Sequence, residues 1–131
     1  MKVELNNSSS GANVFKVKDN PFTEINCDWF LSQFTYEDIP KVVEAIISKV
    51  RIGGTVNFQE LDVFNFAKHV DSIRINPAQV YIPNNDLCGN RITSFLSLEY
   101  LRTLIPENFT IITSMFVRGK GQFQLKIKRI K

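Results

Sequence analysis

Ile39, Val42, Val43, Ile46, Ile47 and Val50 recur at i, i+3, i+4, i+7, i+8 and i+11. That spacing draws one continuous apolar stripe along a helix. A stripe of this kind has to be laid against something, and its flanks offer it. Before it, Glu24 to Leu31 (EINCDWFL) is a mostly apolar run that reads as a central buried strand. After it, Thr55 to Gln59 (TVNFQ) reads as a second strand. Thr35 is the expected N-cap, with Asp38 three residues on in a capping-box-like position. Pro40 falls in the first turn, where its missing N–H costs nothing. Gly53-Gly54 is expected to close the helix, because glycine takes the left-handed conformation that ends one. Strand, helix and strand in this order predict a parallel pair joined by a right-handed crossover.

The rest of the chain extends this unit at both ends. Lys2 to Leu5 reads as a short opening strand, Asn6 to Gly11 (NNSSSG) as a polar loop, and Asn13 to Lys18 (NVFKVK) as a half-buried strand broken by Asp19-Asn20-Pro21. Asp62 can cap a second helix with Val63, Phe66, Ala67 and Val70 on one face. Residues 71–91 keep no period and contain Pro77, Pro83, Asn84-Asn85 and Gly89, an irregular excursion of the kind that often serves as a lid or binding loop. Ser97 can cap a third helix carrying Leu98, Leu101, Leu104 and Ile105, stopped by Pro106. Phe109 to Val117, the turn Arg118-Gly119-Lys120-Gly121 and the alternating Gln122 to Ile130 predict a C-terminal β-hairpin. The expected fold class is therefore α/β, a single domain over residues 1–131 with a mostly parallel sheet that finishes in an antiparallel hairpin.

Charge and composition narrow the function classes. The net charge of +3 conceals an imbalance: residues 1–101 sum to −3 and residues 102–131 to +6. A basic C-terminal stretch can hold nucleic acid, with Lys126, Lys128 and Arg129 as its contacts. The plainer reading is an edge strand kept soluble and unpaired by its lysines. Cys27 and Cys88 fit no metal or CxxC spacing and are expected as free thiols. No apolar run approaches the roughly 20 residues needed to span a bilayer. The opening Met1 to Leu5 is too short and too polar for a signal peptide, so a cytoplasmic protein is expected.

The stretch Cys27 to Pro40 (CDWFLSQFTYEDIP) looks like the fourth strand, and the loop after it, of class I S-adenosylmethionine-dependent methyltransferases. Lys49 to Val56 (KVRIGGTV) is similar to that family's turn into its fifth strand, with Ile52 where the family often has proline. The order of elements from Glu24 onward resembles the second half of the family's fold. The resemblance implies a truncated Rossmann-like domain. In a complete member the first strand ends in an acidic residue and a glycine-rich loop that wraps the cofactor. Here Val3 to Gly11 (VELNNSSSG) offers one glycine, and serine does not freely replace glycine where φ must be positive. The helix due after that loop is replaced by the strand at 13–18, and Asp19 stands where the family holds the ribose hydroxyls. Carried over on this resemblance, the candidate contacts for S-adenosylmethionine or S-adenosylhomocysteine are Asn6, Ser8, Ser10, Gly11, Asp19 and Asp28. A plain polar turn is the competing reading of the loop, and a structural hydrogen bond that of Asp28.

Other residues carry weaker suggestions. Glu60 and Asp62 flank the carboxyl end of a strand, where α/β sheets place ligands, and suit either acid/base work or capping. His69, the only histidine, reads as a surface residue. Tyr36 and Tyr81 suit a pocket wall or a subunit contact. The Arg118 to Gly121 turn could cradle phosphate, though a hairpin alone explains its glycines.

The helices lacking from the first half should leave an apolar face over residues 1–30 uncovered, which predicts a homo-oligomer or a protein partner there. The functional expectation is a degenerate methyltransferase-like protein, catalytically silent alone and acting through protein contacts. The alternatives are a methyltransferase whose pocket a second subunit completes, and a nucleic-acid-binding module. Small reduced versions of this fold resemble proteins of bacteriophage and mobile elements, which implies a viral source and a host cytoplasm.

Overall fold

A computed structural model describes residues 2–6, 19–62, 85–87, 90–92, 94, 96–117 and 121–131. The strand expected at 13–18, the helix at 63–70, and most of the loop at 6–11, the excursion and the hairpin turn lie outside these residues.

Five strands form one sheet: β1 (Lys2–Asn6), β2 (Phe22–Asp28), β3 (Val50–Leu61), β6 (Phe109–Val117) and β7 (Gln122–Arg129), in the spatial order β1-β2-β3-β7-β6. The pairs β1–β2 and β2–β3 are parallel, the second being the pair that the flanks of the stripe predict. The pairs β3–β7 and β6–β7 are antiparallel and their ladders are longer. The last strand inserts beside β3 and pushes β6 to the edge. Two short strands, β4 (Asn85–Leu87) and β5 (Asn90–Ile92), pair with each other inside the expected excursion. The described helices are α1 (Ile39–Ile47) and α2 (Leu98–Thr103).

The expected mostly parallel, helix-flanked Rossmann-like sheet is thus corrected to a mixed sheet, mostly antiparallel in its pairing, in a strand-rich chain. The reason lies in the alternation of its strands. Leu5, Ile25, Cys27, Val56, Phe58, Phe123, Leu125 and Ile127 share one face and form one core with Ile39, Val43, Ile46, Ile47, Leu98 and Leu101 of the two helices. The opposite face carries Glu4, Glu24, Asn26, Asp28, Asn57, Gln59, Gln124, Lys126 and Lys128, all half-buried or exposed. A parallel sheet covered on both faces reads as continuous apolar strands, whereas alternation marks a face left to water. The segment Glu24 to Asp28 (EINCD) alternates. Only the apolar Trp29, Phe30 and Leu31 behind it gave the impression of a strand buried on both faces.

Polar rungs tie the open face together. Asn26 Nδ2 donates to Glu4 Oε1 (2.9 Å) and to Glu24 Oε1 (3.0 Å), and Gln124 Nε2 donates to Asn57 Oδ1 (3.1 Å). Lys2 Nζ lies 3.3 Å from Glu24 Oε2. Hydrogen bonds from Asn26 and the charge of Lys2 hold the Glu24 carboxyl below its ordinary pKa.

Helix α1 differs from expectation at both ends. Its N-cap is Asp38, with no side-chain cap bond, and Thr35 contributes its carbonyl, which accepts from the N–H of Asp38 (3.0 Å) and Ile39 (3.2 Å). The helix stops at Ile47 with Ser48 as C-cap, and Gly53-Gly54 lies inside β3. Val50 closes the helical stripe in sequence, yet it opens β3 and is fully buried there. Both periods point it at the core, so periodicity alone could not decide.

The two glycines serve the strand. The β2–β3 register slips between Phe22 and Glu24, where β3 carries extra residues. Gly53 takes φ +86° in this irregularity, and a Cβ on Gly54 would come within 2.9 Å of Val50 Cγ2 and 3.0 Å of Thr23 O. Ser97 does cap α2, its side chain accepting from Tyr100 N at 3.1 Å.

Candidate functional site

The carboxyl ends of the parallel strands are where open α/β sheets bind ligands. Here those ends are Asn6 of β1, Asp28 of β2 and Leu61 of β3. Asn6 and Asp28 are register partners and both are exposed. Partial burial, and then the charge of Glu4, raise the Asp28 carboxyl above its ordinary pKa.

Immediately after β2 the backbone turns sharply. Trp29 takes φ +56°, a left-handed conformation that a bulky side chain adopts only under constraint. Its N–H donates to Gln59 O at 2.9 Å, and its ring is 6% exposed. The turn brings Phe30 into the core and starts a short 3-10 helix, Leu31–Gln33. The Leu31 N–H then donates to Glu60 Oε1 at 2.6 Å.

Glu60 is fully buried on the helix-covered face of β3, among the apolar side chains of the core. Burial pushes its pKa up to about 8, opposed by the hydrogen bond from the Leu31 N–H and helped by the charge of Asp28. Its other oxygen, Oε2, has no hydrogen-bond partner, and neither do the buried hydroxyls of Ser32 and Ser94. The backbone joins these two serines, Ser94 N–H to Ser32 O at 3.1 Å. Burial therefore favours the neutral form of Glu60, and its bonded oxygen serves the backbone of the turn after β2. Asp62 is 2% exposed, and its Oδ2 accepts from Leu98 N at 2.8 Å. Of the two readings offered for this pair, both side chains take the structural one. The helix that Asp62 demonstrably serves is α2, 36 residues away, while the helix expected at 63–70 lies outside the described residues.

The candidate cofactor residues divide. Asn6 and Asp28 are brought together. Ser8, Ser10 and Gly11 lie outside the described residues. Asp19 is exposed and precedes β2, so it belongs to the opposite end of the sheet. Its neighbour Asn20 anchors it there: Asn20 donates to Ser48 O and accepts from Arg129 Nη1 at 3.1 Å. The length of β2 separates Asp19 from Asp28 by about 20 Å. His69, Tyr81, Cys88 and the Arg118 to Lys120 turn are outside the described residues. Tyr36 stacks on Tyr100, ring centroids 5.0 Å apart, and so ties the loop before α1 to α2.

The other sequence expectations fare as follows. Cys27 is a buried free thiol, as expected. Lys126 and Lys128 lie on the open polar face of β7, but Arg129 does not join them. Its Nη1 donates to Val50 O at 2.8 Å and its Nε to Lys131 O at 3.3 Å. The lysine-bearing strand is also interior to the sheet, between β3 and β6, and not its edge.

The uncovered apolar face expected over residues 1–30 is not found among the described residues. Leu5, Phe22, Ile25, Trp29 and Phe30 are all buried. Exposed large apolar side chains gather instead on β6: Ile111, Ile112, Met115 and Phe116. Sequence reasoning missed Ser32 and Ser94, whose only signal was a polar residue set among apolar ones, and expected Trp29 on an uncovered apolar face, whereas it is buried. Among the described residues no group of three or more His, Cys, Asp or Glu could hold a metal ion, and no helix is long and apolar enough to cross a membrane.

No family model and no curated protein matches the sequence. Solved structures do match in shape. One comes from work on the conversion of a disulfide bond into a thioacetal group during echinomycin biosynthesis; it is 12% identical, with a TM-score of 0.55, over 88% of this chain and 53% of that one. Another is a putative Zn-dependent alcohol dehydrogenase from Rhodobacter sphaeroides, 14% identical, with a TM-score of 0.50, over 84% of this chain and 60% of that one. The chain spans about half the length of the first of these. At such identities the likeness is one of fold alone.

Proposed function

We propose that this chain is a methyltransferase-like protein with no methyl transfer of its own, working in the cytoplasm by binding protein chains. The observation that carries the reading is the state of Glu60. It is the carboxyl at the strand ends whose pKa lies near neutrality, the property that acid/base chemistry requires. Yet it is fully buried and spent on the Leu31 N–H. A group sealed in this way holds the strand ends closed and does not meet a substrate.

Two further features support the reading. Asp19 lies at the wrong end of the sheet to share a ligand with Asn6 and Asp28. The resemblance of residues 27–56 to the methyltransferase motifs lies in the end of β2, the turn and helix α1 after it and the start of β3, whereas the loop that would wrap the cofactor has a single glycine.

Isothermal titration calorimetry with S-adenosylmethionine and S-adenosylhomocysteine tests this. No heat of binding is expected at micromolar concentrations. Saturable binding at micromolar affinity would sink the reading and favour a pocket completed by a second chain.

A further inference from the structure

β2 leaves the sheet before β3 ends. The Trp29 N–H still donates to Gln59 O at 2.9 Å, and the chain then turns away into the 3-10 helix Leu31–Gln33. Farther along the same flank of β3, Leu96 takes the vacated place and bridges to Asp62 in parallel register. Counted back along both chains from that bridge, Ser94 stands level with Glu60. The 3-10 helix occupies the step between β2 and Leu96. Its Leu31 N–H donates to Glu60 Oε1 at 2.6 Å, and its Ser32 carbonyl accepts from the Ser94 N–H at 3.1 Å. Glu60, Ser32 and Ser94 are thereby fastened around one point at the carboxyl end of β3.

All three are sealed from solvent, Glu60 being 0% exposed, Ser32 2% and Ser94 7%. Among the described residues, Glu60 Oε2, Ser32 Oγ and Ser94 Oγ are also the buried side-chain atoms that have no hydrogen-bond partner. Buried polar atoms are nearly always paired, with protein or with ordered water. Orphans arising independently would be scattered, whereas these belong to three residues that the backbone ties together.

We propose that one ordered water molecule is bound at this point, held by Glu60 Oε2, Ser32 Oγ and Ser94 Oγ, and that it closes the step where β2 gives way to Leu96.

The donors and acceptors balance. Glu60 Oε1 accepts from Leu31, so in the neutral carboxyl the proton sits on Oε2 and donates to the water. The water then donates one hydrogen to each serine oxygen. That makes three bonds, the usual number for a buried water. A larger ligand is excluded by closure: Phe30, Leu31, Leu61 and Leu96, the apolar neighbours of the three residues in sequence, are buried as well. A metal ion does not suit one carboxyl and two hydroxyls, since among the described residues no three His, Cys, Asp or Glu gather to hold one.

Two measurements on the full chain test this. Ser32→Ala and Ser94→Ala each leave both backbone bonds in place and take one bond from the water. Each should lower the folding constant about fivefold in urea unfolding. Hydroxyls that truly lack a partner would give the opposite sign, because alanine then removes an unpaired group. Water-oxygen magnetic relaxation dispersion counts long-lived internal waters. The double variant leaves the water a single partner, and should hold one such water fewer than the wild type. Alanine variants that are as stable as the wild type, or more so, overturn the proposal. So does an equal water count in the wild type and the double variant: a loss of stability with no change in that count would mean that the three groups bond directly to one another.

Discussion

The Leu31 N–H donates to Glu60 Oε1 at 2.6 Å across 29 residues, and both residues are fully buried. This bond ties the turn that follows β2 to the carboxyl end of β3. It sets a buried carboxyl where two parallel strands end.

The protein's stability should therefore fall with pH in a window set by Glu60. Folding raises its pKa from 4.5 to about 8, because burial disfavours the charged form. The neutral form's contribution is fully present below about pH 4.5 and is lost as the pH rises toward 8, at about 1.4 kcal/mol per pH unit for this group. Glu60→Gln keeps an acceptor for Leu31 and removes the titration. Urea unfolding of both proteins from pH 5 to 9 should show the variant's advantage growing with pH. An advantage that stays constant would mean that Glu60 is ionised throughout.

The two adjacent glycines of β3 should differ sharply. Gly54→Ala puts a methyl against Val50 Cγ2 and the carbonyls of Arg51 and Thr23, two of these being backbone that cannot step aside. A loss of about 3 kcal/mol is expected. Gly53→Ala meets open space and carries only the strain of φ +86°, for a loss of about 1 kcal/mol. Thermal unfolding followed by Trp29 fluorescence ranks them.

Helix α2 depends on two side chains from different places. Ser97→Ala removes the local cap and should cost about 1 kcal/mol. Asp62→Ala leaves the Leu98 N–H without its buried acceptor and should cost about 2 kcal/mol or more, with Asp62→Asn recovering part of it. Chemical denaturation of the three variants gives the order. Equal losses for Ala and Asn would assign the effect to charge rather than to the hydrogen bond.

Arg129 and Lys128 are neighbours with opposite roles. Arg129 stitches β7 to the Val50 carbonyl and to Asn20, so Arg129→Ala should destabilise by about 1–2 kcal/mol. Lys128 is exposed, and Lys128→Ala should stay within about 0.5 kcal/mol. Unfolding curves separate the two, and any nucleic-acid assay on an Arg129 variant needs that control.

Much of the architecture is legible in the chain because the relevant forces are local. The stripe from Ile39 demands a helix with one apolar face. Ser97 three residues before Tyr100 supplies a cap, and the alternation in Gln122 to Ile130 demands a strand with one wet face. The same alternation in Glu24 to Asp28 already excluded a sheet buried on both sides, and the apolar residues after it masked the fact. Asn6 was named for the loop it opens and Asp28 for the strand end it occupies, and only the β1–β2 register sets them side by side.

What only the tertiary structure decided are the relations between distant segments. Inserting β7 between β3 and β6 is a choice among pairings that look alike in one strand's own pattern. It moved the lysines off the edge and left an uncharged strand there. Likewise no local signal directs Glu60 to Leu31, Asp62 to Leu98 or Arg129 to Val50. A buried polar group must find a partner wherever packing brings one, since leaving it unpaired costs more than most single contacts return. Sequence period fixes which way a side chain faces. Only the packed sheet fixes what it faces.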